Sequence, residues 1–346
     1  MDFKLKVIPE DFIVKEKHNL HQENKDTSQE NIYFLLQKKN YETFEAISII
    51  ANFFKIEQNK IGYAGLKDCD GVTEQYISIN ADSLREEIKD SRESCYNIVD
   101  YESKFIRLFH TGKVGGRINV ASLEGNHFNI TVRDIDASIC NKINDNSCIS
   151  MSFINYYDTQ RFGIPGGEKI THFLGAAIER KDYTSAITLI NRIKDSQDIV
   201  ERPLNSIDDF FARIDLRKIA FYRSAYSSFN WNAQIIERLE NSHQIRNSII
   251  SEIEGIKFVF PLSIDDSVEN ILKNLQYKYK RHVVVDNKIV PIDTNRPAII
   301  NTNVMLGKSE PDEFNHGKYK FRLSFFLPSG CYATMLIKQL VAKLQA

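Results

Sequence analysis

The 346-residue chain lacks several features that would reveal its class directly. No stretch approaches the 18 consecutive apolar residues of a membrane-spanning helix. The first residues alternate charged and apolar side chains, whereas a secretory signal needs a continuous apolar core of about 7–15 residues. The five cysteines form no C-x-x-C pair and no H-E-x-x-H motif occurs, so neither a disulfide framework nor a zinc site is expected. These absences predict a cytoplasmic protein without a structural metal.

The overall charge is also uninformative, because 45 Lys and Arg residues balance 46 Asp and Glu residues, for a net charge of −1. A strongly basic domain would indicate a nucleic-acid partner, but basic residues are only locally concentrated here, for example at 113–117 and 278–282. The glycine-rich phosphate-binding motifs and the G-x-S-x-G motif are missing as well. The composition is otherwise that of a folded protein, and its length suggests two domains or one domain with an insertion.

Apolar patterning predicts strands towards both ends of the chain and helices in the middle. Strand-like runs occur at 12–14, 33–36, 73–79, 128–133 and 321–327, with another strand starting at Ile61. Helical spacing is found at 43–55, 171–193, 219–239 and from about 332 onwards. A hairpin is expected at 283–290, and the polar segment 21–31 is expected to be a loop. The pattern as a whole predicts an α+β domain interrupted by a mostly helical insertion.

Asp68 is a candidate for chemistry, since it lies in a loop framed by Gly65 and Gly71 directly after a predicted buried strand. A carboxylate on a loop that rigid strands support can act as a nucleophile or a base. Asp and Gly are common in turns, however, so composition alone favours an ordinary turn. Asp68 and Asp70 also resemble a glycosidase carboxylate pair, but alternate residues of one loop rarely face each other across a substrate.

Two other segments combine aromatic rings with polar side chains. Asn126 and Phe128 could present an amide and a ring to a planar base, although a turn asparagine and a core phenylalanine would give the same pattern. The run 155–163 places aromatic residues beside Gln160 and Arg161, which suits single-stranded RNA but also an ordinary domain interface. From the residues alone, the chain is an enzyme or a binding protein with a possible nucleic-acid partner.

Six segments, in order along the chain, resemble the motifs of the TruD family of tRNA pseudouridine synthases, and the resemblance thins only between about 170 and 290. The segments are Lys6 with Pro9-Glu10-Asp11-Phe12-Ile13-Val14; Gly65-Leu66-Lys67-Asp68 with Thr73 and Gln75; Gly125-Asn126-His127-Phe128 with Arg133; Asn155-Tyr156-Tyr157-Asp158-Thr159-Gln160-Arg161-Phe162-Gly163; Ser228 with Trp231-Asn232 and Arg238; and Leu327-Pro328-Ser329-Gly330-Cys331-Tyr332-Ala333-Thr334.

The resemblance implies an enzyme that isomerises uridine to pseudouridine in tRNA, at position 13, with neither a cofactor nor a metal. It also implies an α+β fold. A pseudouridine-synthase catalytic domain, with a mixed, largely antiparallel sheet and flanking helices, would occupy residues 1–160 and 293–346. A mostly helical α/β insertion domain of the TRUD type would occupy residues 161–292. The expected partner is tRNA, and the expected oligomeric state is a monomer.

By the same resemblance, Asp68 is the catalytic aspartate, which attacks a uridine flipped out of its stack. Lys6 and Lys67 are expected to support the active site, Lys6 as the cationic partner of the carboxylate. Asn126 would hold the loop or the base edge, and Phe128 would stack on the uracil. Residues expected to contact RNA or to support the site nearby are His110, Lys113, Gln160 and Arg161.

Three residues depart from the family pattern: Cys69 stands where a basic residue is common, Asp158 where glycine is usual, and Cys331 where serine is usual. If position 158 required a positive φ, Asp would tolerate it less well than Gly. Two other functions also remain open. One is a tRNA-binding or chaperone protein of the same fold, which would not need the aspartate. The other is a cofactor-free hydrolase of nucleosides or glycans, which would need a second carboxylate opposite Asp68.

Overall fold

The structure is a computed structural model that describes residues 3–18, 30–90, 94–119, 123–143, 147–163, 167–193, 204–242, 247–273, 275 and 279–346. The chain divides into two compact units. The sheet unit contains residues 2–151 and 302–330, and the helical unit contains residues 152–301 and 331–346. The predicted domain limits at residues 160 and 293 stay a prediction. The expected loop at 21–31 lies outside the described residues except for its last two positions.

The described elements are mainly strands in the first part of the chain and helices after it. The strands are β1 (Phe12–His18), β2 (Asn31–Lys39), β3 (Ile61–Tyr63), β4 (Val72–Asn80), β5 (Cys95–Asp100), β6 (Phe105–Gly115), β7 (Leu123–Ile135), β8 (Cys148–Ile154), β9 (Ser248–Ile253), β10 (Ile256–Pro261), β11 (Tyr279–Val285), β12 (Lys288–Thr294), β13 (Ile299–Leu306), β14 (Glu310–Pro311) and β15 (Tyr319–Pro328). The helices are α1 (Thr43–Phe54), α2 (Glu86–Asp90), α3 (Ala137–Cys140), α4 (Thr171–Glu179), α5 (Tyr183–Ile190), α6 (Ile207–Arg213), α7 (Leu216–Asn241), α8 (Asp266–Lys273) and α9 (Ala333–Gln345).

The sheet unit is organised around one mixed sheet with the strand order β5-β6-β2-β4-β1-β7-β15-β13-β8, with β3 beside β4 and β14 beside β15. β1 and β4 are parallel, whereas β1–β7, β7–β15, β2–β4 and β2–β6 are antiparallel. This arrangement confirms the predicted mixed, largely antiparallel sheet. The order places β1 between β4 and β7, so the two segments that carry most of the candidate residues flank the first strand.

One face of the sheet is covered by α1. Side chains alternate along each strand, and the inward side chains of β2, β4 and β6, such as Phe34, Ile77 and Ile106, pack with Ile47 and Ile50 of α1 in one apolar cluster. The predicted helix 43–55 is therefore confirmed almost to the residue. The helix ends at Lys55, whose φ of 58° places it in the left-handed conformation common at helix C-termini.

The helical unit contains α4 to α9 and two hairpins, β9–β10 and β11–β12. The predicted helix 171–193 is wrong in its length, because two shorter helices, α4 and α5, occupy this segment. Lys181 has a φ of 59°, and Asp182 caps α5 by accepting a hydrogen bond from the amide of Ser185 at 3.1 Å. The hairpin at 283–290 is confirmed, with positive φ at Asp286 and Asn287 as a two-residue type I′ turn requires. Within the described residues, no helix is long and apolar enough to cross a membrane.

Candidate active site

Asp68 lies in the loop that connects β3 to β4, as the sequence predicted; we call residues 65–71 the Asp68 loop. Gly71 closes this loop where it passes the main chain at the start of β1. A Cβ atom at Gly71 would lie only 2.6 Å from the carbonyl oxygen of Phe12, so a side chain there would displace the backbone. At Gly65, by contrast, a Cβ atom would meet only the Lys67 ammonium, at 3.9 Å. The loop therefore depends on glycine at its second boundary.

The Asp68 carboxylate contacts the ammonium group of Lys6, with 2.6 Å between Oδ2 and Nζ. The Asp68 side chain is 45% exposed, so the carboxylate is also accessible from solvent. Lys6 has a φ of 57°, a conformation that a lysine rarely adopts and that surrounding structure must impose. The neighbouring main chain is fixed by two hydrogen bonds between Lys4 and Arg133, of 2.9 and 3.0 Å. The N-terminal segment is thus held so that it presents a cation to the carboxylate.

Aromatic rings lie next to this ion pair. Lys6 Nζ is 4.3 Å from the centroid of the Phe12 ring, and Phe12 packs edge-on against Phe128 with centroids 6.2 Å apart. Phe128 also stacks on Phe325 at 5.4 Å and is only 8% exposed. A continuous series of contacts therefore leads from Asp68 through Lys6 and Phe12 to Phe128, which brings together three of the residues predicted to form the site.

Asn126 lies two residues before Phe128 on β7, so both side chains project from the same face of the strand. In the strand register Asn126 is opposite Glu16 of β1 on one side and Leu327 of β15 on the other. Its amide oxygen is buried and has no hydrogen-bond partner among the described residues. Because buried polar atoms are nearly always paired, this oxygen is an acceptor that a ligand can satisfy.

Lys67 points away from solvent and forms an ion pair with Glu16, with both side chains largely buried. Oε2 of Glu16 lies 2.9 Å from Nε2 of His18 and accepts a hydrogen bond from the amide of Tyr76 at 3.2 Å. Burial opposes ionisation of Glu16, but the hydrogen bond with His18 and the charge of Lys67 outweigh it and lower the pKa of Glu16. The ion pair therefore ties the Asp68 loop to β1, and a direct role of Lys67 in the reaction stays a prediction.

Two more side chains hold the Asp68 loop from the sheet. Lys38 of β2 is fully buried and donates hydrogen bonds to the carbonyl oxygens of both Lys67 and Asp68. Gln75 of β4 donates to the carbonyl oxygen of Gly65 at 3.3 Å. Together with Glu16 of β1, one polar side chain from each of three adjacent strands contacts the loop; we call Lys38, Gln75 and Glu16 the loop platform. The sequence analysis did not single out Lys38 or Glu16.

The residues predicted to contact RNA lie in different environments. His110 of β6 is buried, its ring lies 5.0 Å from that of Phe34, and its Nδ1 accepts a hydrogen bond from the amide of Gly112. Lys113 of the same strand is exposed. Their contact with RNA stays a prediction.

Gln160 and Arg161 belong to the helical unit. Gln160 is exposed, whereas Arg161 packs over the ring of Phe221 at 4.9 Å and donates to Ser228 Oγ at 3.3 Å. A contact of either side chain with RNA likewise stays a prediction. Among the described residues, no three His, Cys, Asp or Glu side chains are grouped so that they could hold a metal ion.

The unusual residue at position 158 is accommodated without strain. Asp158 has a φ of −78°, so the position does not require the left-handed conformation that glycine favours. Its carboxylate accepts a hydrogen bond from the amide of Thr159 at 2.7 Å and further hydrogen bonds from the side chains of Thr334 and Lys338. Cys69, the departure next to Asp68, is a free thiol whose pKa is raised by burial and by the charge of Asp70.

An accessible carboxylate on a loop of a mixed sheet, paired with a lysine and close to packed aromatic rings, suits a class of enzymes that use a carboxylate as a nucleophile or a base. Comparison with known proteins specifies this class. A family model described as tRNA pseudouridine synthase D (TruD) matches residues 1–219, and the chain belongs to this family. The resemblance seen in the sequence motifs is thereby confirmed.

Relatives that align with nearly the whole of this chain agree with this assignment. A Methanocaldococcus jannaschii protein named "Probable tRNA pseudouridine synthase D 2" is 28% identical, over 97% of this chain and 91% of its own length. The tRNA pseudouridine synthase D of Sulfurimonas denitrificans is 25% identical, over 99% and 96% respectively. A crystal structure of a Methanosarcina mazei protein assigned to TruD is similar in fold, with a TM-score of 0.56, 20% identity, and coverage of 100% of this chain and 95% of that one.

Proposed function

We propose that this protein isomerises uridine to pseudouridine at position 13 of tRNA, with Asp68 as the nucleophile. Membership of the TruD family supports the reaction and the substrate class. The observation that supports the role of Asp68 is its accessible carboxylate, held 2.6 Å from the Lys6 ammonium on a loop that three strands anchor. A carboxylate can act as a nucleophile through its oxygen atoms, and the Lys6 ammonium lies close enough to balance its charge.

In the proposed reaction the target uridine leaves its stack, because the enzyme cannot reach the glycosidic bond inside a helix. Asp68 attacks the uracil ring or the ribose carbon, and the bond between N1 and the ribose breaks. The uracil then turns within the site, a bond forms between its C5 and the ribose carbon, C5 loses its proton and N1 gains one. The carboxylate is released unchanged, so the reaction is an isomerisation that consumes no co-reactant.

The neighbouring residues have distinct proposed roles. Lys6 balances the charge of the carboxylate while the nucleoside is bound. Phe128, supported by Phe12 and Phe325, forms an apolar surface for the uracil ring. Asn126 has a buried amide oxygen without a partner among the described residues, and this oxygen can accept the N3–H of uracil.

The decisive test is Asp68→Asn, a nearly isosteric change that removes the charge. We expect it to abolish pseudouridine formation while the Kd for tRNA stays within a few-fold of that of the unchanged protein. The assay follows release of tritium from 5-tritiated uridine in tRNA, because only isomerisation removes the C5 hydrogen. The matched control is Asp70→Asn in the same loop, whose side chain is also exposed and which should remain active.

Retained product with Asp68→Asn would refute the assigned role. The position is tested separately by mapping the modified nucleotide and by using a tRNA in which uridine 13 is replaced by cytidine. Product at another site would overturn the position but not the reaction.

A further inference from the structure

Lys38 is an unusual residue for the interior of a sheet. It continues the inward-facing series of β2 after Phe34 and Leu36, and its side chain is 0% exposed. Its ammonium group donates to three main-chain oxygens, at 2.8 Å to Tyr41, 3.3 Å to Lys67 and 2.8 Å to Asp68. All three N–H donors are therefore directed at carbonyl groups and none at a carboxylate.

Burial of the Lys38 ammonium group costs free energy on folding. Burial disfavours the charged form and lowers the pKa of Lys38 to about 8, although the negative charges around it act in the opposite direction. The ionisable groups that face Lys38 are Lys67, Asp68 and Cys69 from the Asp68 loop and Glu42 from the segment before α1. An apolar side chain would avoid this desolvation cost but would leave the three main-chain oxygens without their donor, so the lysine specifically ties the sheet to the Asp68 loop.

The three acceptors of Lys38 lie in two segments, the Asp68 loop and the chain before α1. Two are the carbonyl groups on either side of the Asp68 Cα atom, and the third belongs to the chain that leads into α1. Lys6 contacts the carboxylate itself, whereas Lys38 contacts only the main chain that carries it. The orientation of the carboxylate relative to Lys6 depends on this main chain.

We propose that Lys38 is a positioning residue, whose buried ammonium group fixes the main chain of Asp68 so that the carboxylate keeps its productive orientation. The inference rests on the proposed function of Asp68. The activity should therefore depend on the protonation of Lys38. A neutral amine has two N–H donors for three carbonyl oxygens, so the loop loosens as the pH rises past the pKa of about 8.

The first test compares Lys38→Met, Lys38→Arg and the control Lys39→Met. Lys39 is the next residue of β2, so its side chain projects from the opposite face of the strand, where it pairs with Glu10. At pH 7 we expect Lys38→Met to lower the single-turnover rate by about 30-fold or more, since small misplacements of reacting groups can cost about 100-fold. The Kd for tRNA and the circular dichroism spectrum should be unchanged. Lys38→Arg, which keeps the charge and the donors, should recover most of the rate.

A pH profile separates positioning from a merely structural role. The unchanged enzyme should lose activity with a midpoint near pH 8, Lys38→Arg should shift this midpoint upwards, and Lys38→Met should lack it. A rate for folded Lys38→Met within threefold of the unchanged enzyme would overturn the proposal. A parallel loss of rate and tRNA affinity, or an unaltered pH profile, would also overturn it.

A second test uses the unchanged protein, in case the variants fail to fold. Hydrogen exchange of the Lys67 amide, which is bonded to Thr43 Oγ1 at 2.9 Å, reports opening of the Asp68 loop. After correction for the intrinsic rate, exchange should increase several-fold between pH 7 and pH 9, while the amides of α1 stay protected. Unchanged exchange at Lys67 would overturn the proposal. Failure of the proposed function would look different, because Asp68→Asn would then retain activity whatever the behaviour of the loop.

Discussion

His172 makes the stability of the helical unit sensitive to acid. Its side chain is 1% exposed and lies between aromatic rings, 4.2 Å from Phe229 and 4.0 Å from Phe173 by ring centroids. Neither ring nitrogen has a hydrogen-bond partner among the described residues. Burial in this apolar environment lowers the pKa of His172 from 6.5 to about 4. The folded protein therefore keeps the imidazole neutral at pH values where the unfolded chain protonates it.

The difference between the pKa of His172 in the folded and in the unfolded chain determines how stability changes with pH. Above pH 6.5 both states are neutral and the residue contributes no pH dependence. As the pH falls from 6.5 to about 4, the unfolded chain binds the proton first, so the folded state loses stability, and below pH 4 the loss levels off. The free energy of unfolding decreases by roughly 3 kcal/mol in total, and about 2 kcal/mol of this decrease arises between pH 7 and pH 5.

The assay is urea denaturation at pH 7 and at pH 5, followed by tryptophan fluorescence. Trp231 is the single tryptophan and is buried in the helical unit, so its emission reports unfolding of this unit. His172→Phe should remove about 2 kcal/mol of the stability difference between the two pH values. His316→Phe, at an exposed position of the sheet unit, is the control and should leave the difference unchanged. An identical pH dependence in His172→Phe and the unchanged protein would refute the reasoning.

Two further changes test how the Asp68 loop is held. Glu16→Gln leaves the Lys67 ammonium buried without its carboxylate, and we expect the free energy of unfolding to fall by about 3 kcal/mol. A thermal melt like that of the unchanged protein would contradict this. Gly71→Ala should displace the loop, because the new Cβ atom meets the Phe12 carbonyl oxygen at 2.6 Å, and pseudouridine formation should fall at least tenfold in the tritium assay. Gly65→Ala, which has room, should keep near-normal activity, and equal losses in both variants would rule out this explanation.

Much of the sheet unit was predictable because alternation of apolar and polar residues depends on strand geometry alone. The alternation at 128–133 predicted β7, whereas β1 and β2 were predicted from short apolar runs and β4 as the strand that follows the glycine-framed loop. The same rule also contained information that the sequence analysis did not use. Glu16 and Lys38 stand at inward positions of β1 and β2, where the pattern calls for an apolar residue. A charge at such a position indicates a buried partner, but two of the three partners of Lys38 are 29 and 30 residues away and become identifiable only in the fold.

Other differences between the predicted and the observed elements also have local physical causes. The spacing of apolar residues continues across Lys181, so periodicity predicted one long helix, whereas the left-handed residue and the Asp182 cap divide it. β6 shows regular alternation, with Ile106, Leu108 and His110 buried in turn. That pattern would have placed His110 inside the sheet unit from the sequence, an environment that the resemblance to a family does not specify.

The loop platform holds the Asp68 loop largely through hydrogen bonds to its main-chain carbonyl groups. Lys38 and Gln75 bind carbonyl oxygens, which every residue type supplies, and only Lys67 contributes its own side chain. Substitutions at Leu66, Cys69 and Asp70 consequently leave these attachments intact. The segment that carries Asp68 can therefore diverge in sequence and retain its shape, which is consistent with a cysteine at position 69.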